Sequence, residues 1–321
     1  MSEQANQPLP DGTQLENYRV LRVLAHGGFS FVYLAHDENE TPVAIKEYLP
    51  STLALRTNGA ISPIVPEEDA ATFKYGMKCF FEEGRALASL SHPNVVRVLN
   101  FFRANDTVYL VMRYERGRTL QQHIVNHRGA IEEAWLRKTF AELLNGLREV
   151  HTNKLLHLDI KPGNVYVRND GSPLLLDFGA ARQTLSEEVR KLPPTFTPGF
   201  ASPEQHQRRE DLGPWSDLYS VGATMYSCLA GSPPQAASER MEKDALVPAS
   251  RAWGGRYSAE LLDTIDWCLR LDPLERPQSG FALQKALLGE KEPEHRSEPL
   301  PLFEQLGQQL KKMLGLGRRA P

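Results

Sequence analysis

The residues of this chain best suited to chemistry stand in two clusters and one strand. His157-Leu158-Asp159-Ile160-Lys161-Pro162-Gly163-Asn164 is followed by Asp177-Phe178-Gly179, and upstream the run Val43-Ala44-Ile45-Lys46 ends in a lysine. Asp and Asn side chains offer the hard oxygen donors that magnesium takes. A lysine set against phosphate is a compact charge that needs a carboxylate to hold it in place. Such a set suits a reaction that needs the positioning of charge more than covalent help, as phosphoryl transfer does. Taken alone, the octapeptide also reads as a polar turn between a helix and a strand, with no chemistry.

With the turn Ala25-His26-Gly27-Gly28-Phe29-Ser30-Phe31-Val32 placed before Lys46, these motifs resemble the ordered motif set of the eukaryotic-like (Hanks-type) serine/threonine protein kinase family. The resemblance covers Asn17 to Gly289. It implies an α+β, bilobal fold: a small lobe of antiparallel sheet with one key helix (17–112), a hinge (113–117) and a larger helical lobe (118–289). It further implies ATP with Mg2+ or Mn2+, and Ser/Thr hydroxyls of proteins, its own included, as acceptors. Asp159 matches the aspartate that accepts or orients the proton of the attacking hydroxyl, a role worth about two to four decades in rate. Asn164 and Asp177 match the metal ligands, Lys161 the lysine that steadies the γ-phosphate, and Lys46 the lysine that holds the phosphates. Glu83, nine residues before His92, is the expected partner of Lys46. Glu82 is the alternative, and either also reads as a solvated helix charge.

The same resemblance makes Leu24, Val32, Ala44 and Met112 an apolar slot for adenine. Backbone groups of Arg113 and Tyr114 lie at the hinge and Tyr166 at the floor. Each apolar member alone reads as readily as core. In the glycine turn, Gly27 and Gly28 are present, but Ala25 and Ser30 stand where relatives carry outer glycines. By itself such a turn is an ordinary hairpin whose glycines supply positive φ. Ser202-Pro203-Glu204, Asp217 and Arg276 match anchors of the activation segment and catalytic loop, with Glu204 and Arg276 expected as a buried ion pair. Thr197 matches a threonine that contacts the base and the lysine and shapes the substrate groove, and as an exposed hydroxyl it reads equally as a phosphosite or as a residue without a role. Leu158 replaces an arginine that binds a loop phosphate, which implies activity independent of phosphate at Thr184, Ser186 or Thr195.

These residues need a scaffold, and the pattern supplies one. Two strands from Tyr18 to Ala35 and a third at Val43–Lys46 precede a helix over Phe73–Leu90, where Phe80, Leu87 and Leu90 recur at helical spacing. Strands follow over Val95–Phe102 and Val108–Arg113. Beyond Gly117 the texture turns helical. Trp135–His151 carries Leu136, Phe140, Leu143, Leu144 and Leu147 on one face, and further helices are expected over Ser216–Ala230, Ser258–Leu271 and Gly280–Leu288. Between Lys46 and Glu83 the connection is long, and 50–78 is expected as an ordered excursion. With Lys46-Glu47-Tyr48-Leu49-Pro50, this insert resembles a bacterial subset of the family, which implies a regulatory role and a cognate phosphatase as partner.

Composition bounds the rest. With 321 residues, 41% hydrophobic and 24% charged, the chain can bury a substantial core, and a net charge of -3 offers no general attraction to nucleic acid. Three scattered cysteines without a C-x-x-C pair fit a reducing cytoplasm. Residues 1–16 read as a polar leader with no signal-peptide pattern, and no segment approaches the roughly 18 apolar residues of a membrane span. Residues 290–301 read as a linker. The tail 302–321 places Leu302, Phe303, Leu306, Leu310, Met313 and Leu314 on one stripe, to dock a partner, a membrane surface or the helical lobe itself. Two rival functions stay open at this stage: a nucleotide-binding pseudokinase scaffold, and a small-molecule phosphotransferase of the same fold. Substrate, upstream signal and oligomeric state are not written in the motifs.

Overall fold

The computed structural model describes residues 6–127, 131–178, 197–207 and 209–289. The first lobe is a six-stranded antiparallel sheet in the order β1-β2-β3-β4-β6-β5. Its strands are β1 (Gln14–Leu15), β2 (Tyr18–His26), β3 (Ser30–His36), β4 (Pro42–Tyr48), β5 (Val98–Ala104) and β6 (Thr107–Arg113). In β3 burial alternates residue by residue, as one fully covered face requires. β4 behaves otherwise, since every residue after Pro42 is buried. Both of its faces are therefore covered.

One cover is helix α1 (Ala70–Ala88). Tyr48 projects from β4 against it, 5.3 Å from Phe73 and 5.8 Å from Phe80 between ring centres. The helix can come that close because Gly76 leaves a notch, where a Cβ would lie within 1.8 Å of the Tyr48 hydroxyl. Gly76→Ala is therefore expected to destabilise the protein by about 1–3 kcal/mol through overpacking. The check is a lowered urea midpoint at unchanged slope, with a deficit smaller than additive when Tyr48→Leu is combined with it. An unchanged midpoint would remove the notch from the account.

The other cover comes from segment 49–66, whose Arg56 meets Glu47, with Leu9 beside it at the Tyr33 hydroxyl of β3. Leu9 and Leu15, in the expected polar leader, are each 1% exposed and belong to the same core. Segment 49–66 folds over the same face, closed on itself by an antiparallel bridge between Leu55 and Ile64. The excursion is shorter than expected because α1 starts at Ala70, ahead of Phe73.

A second sheet, β7 (Gly117–Thr119), β8 (Val165–Arg168) and β9 (Pro173–Leu175), lines the cleft side of the helical lobe. It is tied to the first lobe through Val96 N–H donating to Leu175 O, and Leu175 N–H to Asn94 O. That tie explains why β5 begins at Val98 when the apolar run starts at Val95: Val95 and Val96 pair with Leu175 of β9 before the chain joins the main sheet. α2 (Leu120–Asn126) is closed by a Thr119 capping box. α3 (Glu133–Thr152) buries Leu136, Phe140, Leu143, Leu144 and Leu147 completely. After α4 (Pro203–Gln207), α5 (Pro214–Ala230) is buried from Ser216 to Leu229. It runs from a proline in its first turn to a left-handed Gly231 at its end. Small α6 (Ala237–Glu242) and α7 (Ala249–Ala252) lead to α8 (Ala259–Cys268) and α9 (Gly280–Leu287). α8 stops before the expected Leu271, where Asp272 caps a new turn opened by Pro273. Linker and tail, 290–321, lie outside the described residues.

Candidate active site

Loop 157–164 joins α3 to β8, and its backbone is set by one buried carboxylate at the start of α5. Asp217 accepts the N–H groups of His157 (2.9 Å) and Leu158 (2.7 Å), and the His151 ring at 2.8 Å. Burial alone would raise its pKa, but the His151 hydrogen bond and the neighbouring imidazoles outweigh this and hold it below the usual carboxylate range. Leu158 sits at φ 58, a left-handed conformation that costs a non-glycine residue roughly 1–2 kcal/mol. It is held there from both sides, since its carbonyl accepts Gln205 Nε2 at 2.9 Å and its side chain is buried.

The strained residue turns Asp159 into a polar ring. Oδ2 of Asp159 accepts from Asn164 Nδ2 and pairs with Lys161 Nζ, both at 2.8 Å, while Oδ1 accepts the Thr197 hydroxyl at 3.0 Å. Lys161 Nζ also donates to Thr197 Oγ1 at 2.7 Å, so Asp159, Lys161 and Thr197 close on one another. Asn164 spends its Nδ2 group on the carbonyl and carboxylate of Asp159, which turns its amide oxygen the other way.

Asp177 is brought to this ring through the backbone. Leu176 N–H donates to Asn164 O at 2.8 Å, and His157 Nε2 donates to Leu176 O at 2.9 Å. Phe178 packs under the His157 ring at 4.3 Å. Asp177, itself at φ 53, accepts Lys46 Nζ at 2.5 Å. Lys46 is nearly buried on β4 and lies 5.5 Å from the Phe80 ring. Glu83, three residues beyond Phe80 and thus on the same face of α1, is 3% exposed. Its burial fits the expected partner of Lys46 better than a solvated charge, and it separates Glu83 from exposed Glu82.

The expected adenine slot lies on the Lys46 face of the sheet. Ala25 pairs with Val32, Val32 with Lys46, and Ala44 with Met112, and residues opposite one another in antiparallel strands share a face. Along β3, Val32 and Leu34 are only half-buried while their neighbours are covered, so this apolar face is left partly open toward the second lobe. Leu24 lies at a bulge of β2 between Val23 and Ala25. At the hinge Arg113 N–H is already given to Arg97 O, so that group is not offered to a ligand. Tyr166 is half-buried below, its hydroxyl 3.4 Å from Glu115 O, and burial together with Tyr114 raises its phenol pKa.

Neither Gly27 nor Gly28 adopts a left-handed φ. A Cβ at Gly27 would meet nothing within 4 Å, and one at Gly28 only Ser51 Oγ at 4.0 Å. These glycines are therefore not required by turn geometry or packing, and what they leave is clear space beside the loop with Ala25 and Ser30 on its flanks. The anchors are in place: Glu204 receives a two-point contact from Arg276 at 2.8 and 3.0 Å, and Ser216 Oγ at 2.7 Å. His151 and Gln205, which help fix loop 157–164 through Asp217 and Leu158, are not legible in the sequence, where a polar residue at a helix end carries no signal of its partner.

The donor set fits a divalent cation brought in with phosphates. Asn164 and Asp177 present oxygen atoms, too few for a dedicated cage, and magnesium is held in that way by one or two side chains plus its substrate.

The chain spans about half the length of the curated relatives it matches. These include serine/threonine-protein kinase PknA of Nostoc sp. (strain PCC 7120), 29% identical over 84% of this chain and 46% of the relative. Serine/threonine-protein kinase C of Synechocystis sp. is 28% identical over 85% and 49%. Among solved structures, the apo form of PpkA-294 superposes with a TM-score of 0.79 at 34% identity, covering 87% of this chain and 99% of that one. Residues 18–288 match the protein kinase domain model, a span that contains every element described around the cleft from β2 to α9. With a loop pinned by Asp217, a lysine paired with Asp177, a matching domain model and relatives of this kind, the chain belongs to the eukaryotic-like serine/threonine protein kinase family, members of which from Nostoc and Synechocystis are among its relatives.

Proposed function

We propose that this chain transfers the γ-phosphoryl group of ATP to Ser/Thr hydroxyls of proteins, its own included. The observation that carries the reading is the ring around Asp159, which aims one carboxylate at a single point between Lys161, Asn164 and Thr197. In this role Asp159 accepts or orients the proton of the incoming hydroxyl, and Thr197 holds its other oxygen. Lys161 steadies the group in flight, and Lys46, kept in line by the carboxylates around it, holds the phosphates of the donor. A divalent cation, Mg2+ or Mn2+, would be held by Asn164 and Asp177 and would neutralise charge between phosphates. Val32, Ala44 and Met112 would receive the adenine, and the glycine turn would cover the phosphates.

The test is incorporation of labelled phosphate into the chain itself and into a basic protein, comparing wild type with Lys46→Met. The expected result is transfer by the wild type and loss of at least a hundredfold in the variant. A wild type as silent as the variant would favour a scaffold, and transfer to small molecules alone would favour the other phosphotransferase class.

The same reading extends to control. Leu158 buries an apolar side chain where an arginine would bind a loop phosphate, so the segment 179–196, which lies outside the described residues, has no cation at this position to be pinned by. Alanine at Thr184, Ser186 and Thr195 together is expected to leave the initial rate within about threefold, whereas a tenfold loss, about 1.4 kcal/mol, would reject phosphate-independence. The setting proposed is the cytoplasm of a bacterium, with a cognate phosphatase reversing the modification. All three cysteines are buried and form no disulfide, which suits such a compartment. Among the described residues no helix is long and apolar enough to cross a membrane.

A further inference from the structure

The turn between β2 and β3 should be the loosest part of the cleft, since two glycines at a hairpin tip with open space around them have little to order them. Its carbonyls are nonetheless occupied. Leu49 N–H donates to Phe29 O at 2.9 Å, Ser51 N–H to Gly28 O at 2.8 Å, and Ser51 Oγ approaches the same oxygen at 3.2 Å. The β3–β4 register ends at Ser30 opposite Tyr48, so these bonds carry the ladder past the strands and over the tip.

The segment that supplies those donors is itself fixed by a buried charge. Arg56 is fully buried and grips Glu47 with both terminal nitrogens, at 2.5 and 2.7 Å. It also donates to the Tyr33 hydroxyl at 2.9 Å and to Gln7 O at 2.8 Å, and its backbone N–H meets Asn6 Oδ1 at 2.6 Å. Glu47 is completed by the hydroxyls of Tyr33 (2.7 Å) and Tyr109 (3.0 Å). Glu47 follows Lys46 on a strand, so the two side chains leave opposite faces of the sheet. The ion pair is therefore separate from the phosphate-holding charges on the other side. A fully desolvated pair adds little stability over apolar residues of like size, while it tolerates only one arrangement of its partners. Here that arrangement sets the register of segment 49–66 against β4.

We propose that segment 49–66 is a built-in brace for the phosphate-covering turn, with Ser51 and Arg56 as positioning residues that act through the backbone of Gly28 and Phe29. Like the reading it rests on, it assigns the turn to nucleotide phosphates. The brace holds the turn in its covering position before nucleotide arrives, so less ordering remains to be done on binding. It also accounts for a turn that works with Ala25 and Ser30 in place of outer glycines, because a braced turn has no need of their freedom.

The experiment uses the full chain with Ser51→Pro, which removes both donors to Gly28 at an exposed position, and with Arg56→Met, which frees the segment. Amide exchange followed by mass spectrometry is expected to show slow exchange over 27–31 and at Leu49 in the wild type, and exchange at least tenfold faster over 27–31 in Ser51→Pro. The KM for ATP and the Kd for ADP are expected to rise roughly tenfold with kcat within about threefold, as loss of two hydrogen bonds' worth of preorganisation would give. If Arg56→Met does not fold, Ser51→Pro alone decides. Unchanged exchange over 27–31 together with an unchanged nucleotide Kd in Ser51→Pro would overturn the brace. A wild type that binds ADP but transfers no phosphate would defeat the kinase reading while exchange and Kd still judged the brace.

Discussion

Asp159→Asn is expected to slow phosphoryl transfer by two to four orders of magnitude, about 3–5 kcal/mol in the barrier, with nucleotide affinity changed less than threefold. The substitution keeps the side chain's shape, so the loop pinned by Asp217 and Gln205 has no reason to move. What changes is chemistry at two oxygens. One of them must become an amide NH2 facing either the Thr197 hydroxyl, which now donates to Oδ1, or the donors Asn164 Nδ2 and Lys161 Nζ at Oδ2. Donor would face donor on the second side, and on either side the proton acceptor is lost. Single-turnover transfer with bound ATP separates the chemical step from binding. A variant within tenfold of wild type would remove Asp159 from the reaction.

Arg276→Met is expected to have the largest effect on stability, about 3–5 kcal/mol, because it strands Glu204. That carboxylate is 4% exposed and takes a two-point contact at Oε1 and Oε2 from Arg276, with Ser216 Oγ at Oε1 besides. For a domain of this size the loss is a fall in Tm of roughly 6–15 °C. Adding Glu204→Leu should recover much of it, since the penalty lies in the orphaned charge and not in the missing pair. The pH dependence has a defined sign. Burial pushes the Glu204 carboxyl up, but the Arg276 hydrogen bonds and charge outweigh this and hold it below its ordinary value. Its contribution is thus complete above the ordinary carboxylate range and is lost as pH falls through the depressed value. In Arg276→Met burial is opposed chiefly by the Ser216 hydrogen bond alone, so it prevails and acid helps the variant. The gap between the two proteins should narrow toward low pH, and a gap that widened would contradict this assignment.

Much of this molecule is legible in its residues. The alternation in β3 and the apolar stripe of α3 are local periodicities, and each became the expected element within a few residues. The loop 157–164 is legible for a different reason. Its residue types are constrained by what they must do within a few bonds of one another, as in Asn164 reaching back to Asp159. Where the reading went astray the cause was a long-range partner. A polar stretch before Tyr18 looks like a leader because Leu9 and Leu15 show no period, and only the pairing of β1 with β2 and the seat of Leu9 at Tyr33 make them core.

The order of the motifs, the strand and helix types and the residue types proposed to hold phosphate and metal were determined by the sequence alone, because each depends on neighbours along the chain. The tertiary structure alone decided that Lys46 meets Asp177, that Tyr48 enters the notch at Gly76, and that Arg56 from an insert locks Glu47, the neighbour of Lys46 on β4. Those pairings join residues whose side chains meet only after sheet, helix and insert have packed. A buried charge chooses its partner by what desolvation leaves within reach, and no local pattern encodes that choice.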